Sequence, residues 1–356
     1  MRYRALKYFP IFILPGLAFI SFNSYGWAAW SLVLFIFAFI PVLELIIPSD
    51  ESNLTEAEEE IEKKAFIYDL LIYLIVPVQY VLLFYFFLTI GESGISTATF
   101  WGRIMSMGIL CAGFGINVAH ELGHRMNKSE QFLSKSLLLT SLYLHFFIEH
   151  NQGHHKNVAT HEDPASSRYG ETVFAFWIRS VVTGYISAWK IETKNLKRKN
   201  IPFLSLKNEM IQYTLVQVAF VLAVFYFFGL FVTASFVLAA VIGFLLLETV
   251  NYIEHYGLIR KKVSEKRYEK VLPIHSWNST HSIGRIVLFE LTRHSDHHYK
   301  ASRKYQILKH YKEAPQMPTG YPGMLVMSLI PPIWFAVMHR HIAKLQKEQE
   351  QLSFAA

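Results

Sequence analysis

The sequence predicts an all-α integral membrane protein, with six transmembrane helices and a histidine-rich metal region on the cytoplasmic side. Three observations predict it. Hydrophobic residues make up 52% of the 356 and charged residues only 17%, where a soluble domain carries about 25%. Apolar runs long enough to cross a bilayer recur along the chain. The 16 histidines begin at His120 and then cluster, so the first third of the chain has no imidazole.

The spans come first. Apolar runs lie at about 8–23, 28–48, 66–90 and 98–119, and two more at about 209–229 and 232–253. A spanning helix needs about 20 such residues. The run at 8–23 is short and holds Pro10 and Pro15 behind Arg4 and Lys7. It has the look of a signal peptide, but no A-x-A site follows and a second span begins at once. It is therefore read as a retained helix with a cytoplasmic N-terminus. The loops at about 24–27, 91–97 and 230–231 contain no Lys or Arg, whereas Lys194, Lys197, Arg198, Lys199, Lys261, Lys262, Lys266 and Arg267 fall on the other side. That asymmetry obeys the positive-inside rule.

Two apolar segments are not counted as spans. The segment 131–149 is apolar enough to cross, but crossing would put His120 and His150 on opposite faces. Re-entry or a flat position keeps the histidines together. The segment 322–338 is interrupted by Pro331 and Pro332 and reads as interfacial. The expected organisation is one membrane-embedded domain over 1–356. Its helices lie in about 1–253, a cytoplasmic or interfacial part that completes the metal site in 254–343, and a tail in 344–356.

Charge and cysteine content narrow the chemistry. A net charge of +7 would suggest nucleic acid for a soluble protein. In a membrane protein it marks cytoplasmic loops, so no nucleic-acid partner is expected. The lone cysteine, Cys111, excludes an internal disulfide framework, a thiolate zinc site and an iron–sulfur centre. A rubredoxin domain needs four cysteines, so an electron donor is expected to be a separate protein.

Four histidine motifs follow. HELGHR sets His120 and His124 four apart, on one face of a helix. Alone, it also matches a zinc-protease motif. EHNQGHH gives His150, His154 and His155, with Glu149 and Asp163 nearby. Ligating imidazoles commonly donate their second N–H to a carboxylate. NYIEHYGL places His255 after Glu254 at the end of the last span; alone, it reads as a structural histidine. LTRHSDHH supplies His294, His297 and His298 around Asp296. Nine histidines exceed the needs of one tetrahedral zinc, and imidazole suits iron, copper, zinc or nickel.

Together HELGHR, EHNQGHHKNVATHEDPASSRYGE, NYIEHYGL, HSWNSTH, LTRHSDHHYKASRKYQ and PTGYPGM resemble the integral-membrane alkane 1-monooxygenases, the rubredoxin-dependent alkane omega-hydroxylases. The likeness runs from about 20 to 340. It implies two non-haem irons held by His120, His124, His150, His154, His155, His255, His294, His297 and His298. It further implies supporting roles around the ligands for Glu121, Glu149, Asp163, Glu254, Asp296, His275 and His281. Two departures stand out: His161, where the family commonly has Pro, and Tyr299, where it often has Ala. The implied partners are an n-alkane, O2, membrane lipid, and rubredoxin with its reductase. The implied location is the bacterial inner membrane.

The implied reaction is hydroxylation of a terminal methyl on a medium- to long-chain n-alkane. A membrane acyl desaturase or hydroxylase is the nearest rival, because it shares the histidine boxes. A divalent-metal transporter is the rival of another class, but it would carry its ligands near the bilayer midplane. The second span has no polar face. The resemblance sets it beside a hydrocarbon tunnel, and Ile36 is the single residue chosen to line it. The alternative is that Ile36 touches only lipid or a neighbouring helix.

Overall fold

A computed structural model describes residues 2–265 and 267–355. The basic loop residue Lys266 lies outside the described residues. Five helices are long and apolar enough to cross a membrane: α1 (Tyr3–Asn23), α2 (Gly26–Ile46), α4 (Phe66–Ile90), α5 (Thr97–Gly123) and α9 (Glu209–His255). Between them lie α3 (Glu56–Lys64), α6 (Lys128–Thr140), α7 (146–157) and α8 (Val173–Arg198). A two-stranded hairpin follows, β1 (Lys262–Ser264) with β2 (Arg267–Tyr268), then α10 (Ser282–Val287), α11 (His294–Tyr299), α12 (Tyr321–Ser328) and α13 (Pro331–Ala355).

The sixth expected span is a matter of one residue. α9 carries a break at Gly229, whose φ of 80° and ψ of 176° suit a residue without Cβ. The rings of Phe220 and Phe236 then come within 5.6 Å. Sixteen positions of straight helix would separate them by about 24 Å. The chain therefore turns back on itself, and the runs at 209–229 and 232–253 are two arms of a helical hairpin.

Proline shapes the first two helices. α1 is 3₁₀-like through Phe12, with Pro10 inside that stretch, and becomes α-helical from Ile13. Proline removes a backbone donor and obstructs the α pattern. α2 widens into a π turn over Phe35–Phe39 just before Pro41. A second π turn, Cys111–Asn117, interrupts α5 one turn before His120.

The segment 131–149 does not cross. α6 has 13 residues, about 20 Å, and falls short of a hydrocarbon core of about 30 Å. It lies against α4, where Tyr80 donates to the Ser136 carbonyl at 2.8 Å and Tyr73 to Glu130 at 2.9 Å. The chain then reverses through Leu142, at φ 51°, and returns as α7. As a result the His120 and His150 rings lie 4.4 Å apart. The 322–338 segment is split as Pro331 and Pro332 require, with α13 starting at Pro331. α13 continues through the expected tail.

Polar contacts bolt the loops to the spans. Glu44, buried near the end of α2, accepts from Gly284 N at 3.0 Å. A Cβ on Gly320 would sit 1.9 Å from its other oxygen, so only glycine fits there. Glu290 gathers Lys7, Tyr8 and Arg285 at 2.7–2.8 Å. It thereby ties α1 to the turn that precedes α11.

Candidate metal centre

Four elements deliver imidazoles to one place: the end of α5, α7, the end of α9, and α11. Their ring nitrogens form two groups. His120, His124, His150, His155 and His297 make the first, and His154, His255, His294 and His298 the second. Within each group the candidate ligand atoms lie within 4.8 Å of one another. All nine histidines singled out from the sequence are included.

The facing atoms are Nε2. In the first group His120 approaches His297 at 2.9 Å, His124 approaches His150 at 3.2 Å, and His155 approaches both His150 and His297 at 3.0 Å. In the second group His298 lies 2.9 Å from His294 and 3.2 Å from His154, and His294 lies 3.2 Å from His255. Nine imidazole nitrogens facing two small spaces form two groups, each of which could hold a cation.

The partition depends on a third π turn. On an α-helix His150 and His154 would share a face. Residues 150–154 instead form a π turn in which His155 N–H bonds the His150 carbonyl. The repeat of five aligns His150 with His155 and sends His154 to the other group. The i,i+4 spacing seen in the sequence is thus not the pairing that forms. In α11, the adjacent His297 and His298 likewise go to different groups.

Burial keeps most of these rings neutral, the form that binds metal. Burial pushes His124 down to about 3, with the charges of His154 and Arg125 adding to it. It also drives His150, His155, His294, His297 and His298 well below the usual histidine range. His154 differs. Burial opposes its charge, but Asp163 outweighs burial and lifts it. Asp163 is buried as well and is held low by His154. The two lie 2.8 Å apart, Nδ1 to carboxylate, and Ser166 donates to the same Asp163 oxygen at 2.6 Å. This is the carboxylate–histidine pairing that orients a ligand.

The other expected supports divide. Glu254 places one oxygen 3.2 Å from His294 Nε2 and accepts from Tyr321 at 2.7 Å with the other. Glu121 follows His120 around the helix and faces Arg125, at 2.6 Å. Asp296 holds Arg303 at 2.7 and 2.8 Å and accepts from Lys309 N at 2.8 Å. Neighbours on a helix do not share a face, which is why these two carboxylates turn away from the imidazoles beside them. Glu149 accepts from Ser187 at 3.3 Å. His275 pairs with Glu269 at 3.3 Å, and His281 with Ser279 at 2.9 Å. Neither joins a group. His161 is exposed, and Tyr299 packs on Tyr311 at the surface.

Several positioning residues carried no sequence signal of their own. In HSWNSTH it is Asn278 that holds α11, accepting from Ser295 N at 2.8 Å and donating to its hydroxyl at 2.6 Å. Trp277 donates to the Tyr256 carbonyl at 2.9 Å. The only signal in the sequence is a short polar residue between two histidines, His275 and His281.

An apolar cavity of about 100 Å³ lies among α2, α5, α9 and α12. Ile36 and Phe37 of the π turn in α2 line it, with Ile109, Gly113 and Phe114 of α5 and Leu247 of α9. Asn117, Val250 and Leu291 also line it, and each lies shortly before a histidine of the centre, His120, His255 and His294. On the other side a cleft reaches His124, rimmed by Lys63, Arg125, Met126, Lys300, Arg303 and Lys304.

The fatty acid desaturase family matches residues 96–328. Alkane 1-monooxygenase 2 of Pseudomonas aeruginosa is 39% identical over 89% of this chain and 84% of its own. The alkane 1-monooxygenase of Acinetobacter baylyi is 40% identical over 87% and 76%. Alkane 1-monooxygenase 1 of Alcanivorax borkumensis is 38% identical over 87% and 77%.

Proposed function

The chain belongs to the fatty acid desaturase family and to the alkane 1-monooxygenases, and from that premise we propose that it hydroxylates the terminal methyl of medium- to long-chain n-alkanes at two irons reduced by rubredoxin. The observation that carries this is the combination of two imidazole groups with a nearly all-apolar cavity whose lining includes Asn117, Val250 and Leu291, three to five residues before His120, His255 and His294. Its apolar lining suits a hydrocarbon chain. It offers no anchor for a polar headgroup, which favours an alkane over an acyl thioester.

The donor set is one that iron accepts: imidazole nitrogens in groups of five and four, with Glu254 beside the second. When bound, the irons supply reductive O2 activation and the cleavage of a C–H bond. The chain's own residues do the rest. Ile36, Phe37, Phe114 and Leu247 hold the chain and exclude water. His154 is oriented by Asp163. The balance is RCH3 + O2 + 2e− + 2H+ → RCH2OH + H2O.

The cleft at His124 supports a separate electron donor. Its rim is basic and includes the exposed Met126, which suits an acidic carrier with an apolar contact. Docking through exposed charges is screened over about 8 Å at physiological salt. The expected site is the cytoplasmic face of a bacterial inner membrane, in keeping with the basic loops.

The test supplies reduced rubredoxin and offers octane to hexadecane and an acyl thioester. 1-Alkanols with two irons per chain are expected, at a rate that falls as salt rises. Lys300→Glu should raise the KM for rubredoxin. Ile36→Trp should remove activity on the longest alkanes first. A desaturated acyl product would replace the assignment, and a uniform change across the series would take Ile36 out of the channel.

A further inference from the structure

The reaction proposed above consumes protons and releases water, and the apolar cavity serves neither. A second cavity does have polar walls. It is small, about 20 Å³, room for about one water, and is lined by Tyr143, His145, Glu149, Ser180, Glu248 and Asn251, with His150 at one wall. All of these side chains are buried. α9 divides the two spaces: Leu246, Leu247 and Val250 face the apolar cavity, while Glu248 and Asn251 face the polar one.

Glu248 is the notable member. It lies on a membrane-crossing helix, 4% exposed. Ionisable groups at such depth are costly and typically belong to ion or proton pathways. It accepts from Tyr143 at 2.8 Å and from Asn251 at 3.4 Å. The titratable groups around it are Tyr143, His145 and Glu149 from the α6–α7 segment and His154 from α7. Among the described residues, no Lys or Arg forms an ion pair with it. Beyond the cavity, His145 packs on Tyr185 at 5.2 Å, and Tyr185 is 42% exposed. A line of polar groups therefore runs from the surface to the imidazole of His150.

We propose that this polar cavity is the proton-entry and water-exit route of the hydroxylation, with Glu248 as its relaying carboxyl. In each turnover two protons enter along it, two electrons arrive from the reduced carrier protein, one oxygen atom joins the substrate carbon, and the other leaves as water. The alkane, the electrons and the protons then each have their own side of the centre.

The inference rests on the proposed activity, so one arm of the test does not use turnover. In a Cys111→Ala background, Ser180→Cys should react with a small water-soluble thiosulfonate, while Ala112→Cys, on the apolar cavity, should not. An inert Ser180→Cys overturns the route whether or not the wild type oxidises alkanes. In the second arm Glu248→Gln keeps an acceptor for Tyr143 but cannot exchange a proton. It should lower kcat about 10²-fold with the alkane KM and iron content unchanged, raise the solvent deuterium isotope effect, and divert O2 to peroxide. Glu248→Asp should restore most of the coupling. Wild-type coupling in Glu248→Gln, or an aspartate variant no better than the glutamine, overturns the relay. A wild type that forms no alcohol from any alkane counts against the activity itself.

Discussion

The two imidazole groups are assembled from the same motifs but sit in different surroundings. The group of five draws on α5, α7 and α11, and two of its members, His124 and His155, are partly exposed. It borders the basic cleft. The group of four is wholly buried and has carboxylates at both ends, Asp163 on His154 and Glu254 beside His294. The Nδ1 atoms of its other three members, His255, His294 and His298, are buried without a hydrogen-bond partner. One group thus borders an open cleft and, among the described residues, has no carboxylate paired with its rings. The other is closed, charge-compensated, and oriented mainly through a single aspartate. Similar sequence motifs need not make equivalent sites.

The sharpest way to break this comparison is to separate adjacent residues. His154→Ala and His155→Ala should each abolish hydroxylation, but each should cost a different iron. Metal content near one per chain, with distinct spectra for the residual iron in the two variants, is the expected result. Identical spectra would mean that the groups are not independent sites.

Asp163→Asn is the next largest effect. It removes the charge that orients His154 and should weaken iron in the group of four by about 10–100-fold, leaving the group of five intact. Metal titration resolves the two steps, and equal weakening of both would erase the asymmetry.

The smallest effect on metal comes from an anchor common to both groups. Glu290 is buried, and despite that burial the charges of Lys7, Arg285 and Arg293 hold its carboxyl down to about 2. It steadies α11, which serves both groups. A carboxyl lowered on folding stabilises fully above its unfolded value of about 4.3, and that contribution fades as pH falls toward 2. Glu290→Gln should cost about 3–5 kcal/mol near neutrality, with the deficit shrinking below pH 4. Iron loss should be even across the two groups. Thermal melts in detergent from pH 7 to 3 check both the sign and the window.

Much of this was legible in the sequence because it rests on residue type. The nine histidines announced themselves, and the spans at 66–90 and 98–119 are nearly those observed. Ile36, chosen within a run lacking a polar face, is one of the residues around the apolar cavity; its place in a substrate channel is the proposal that the Ile36→Trp series tests. What stayed hidden depends on backbone detail. No spacing rule reveals the π turn at 150–154, which aligns His150 with His155 and sends His154 to the other group. Glu121 and Asp296 were close to ligands in sequence but point around the helix from them. Glu248 had no motif, since one acid in a long apolar run shows its meaning only when Tyr143 and Asn251 fold against it.

The π turn at 150–154 also bears on how such a centre could arise. His154 and His155 are joined by one peptide bond yet serve different groups, and so do His297 and His298. Two rigid dipeptides therefore act as rulers across the gap, and the separation of the sites is written in covalent geometry. Small shifts of helices cannot drift the two groups apart, although a single substitution can empty either one. Inserting or deleting a single residue at 150–155 would exchange the members of both groups at once. The spacing of the pair is inherited as one unit, which suits a reaction that draws two electrons for every chain it oxidises.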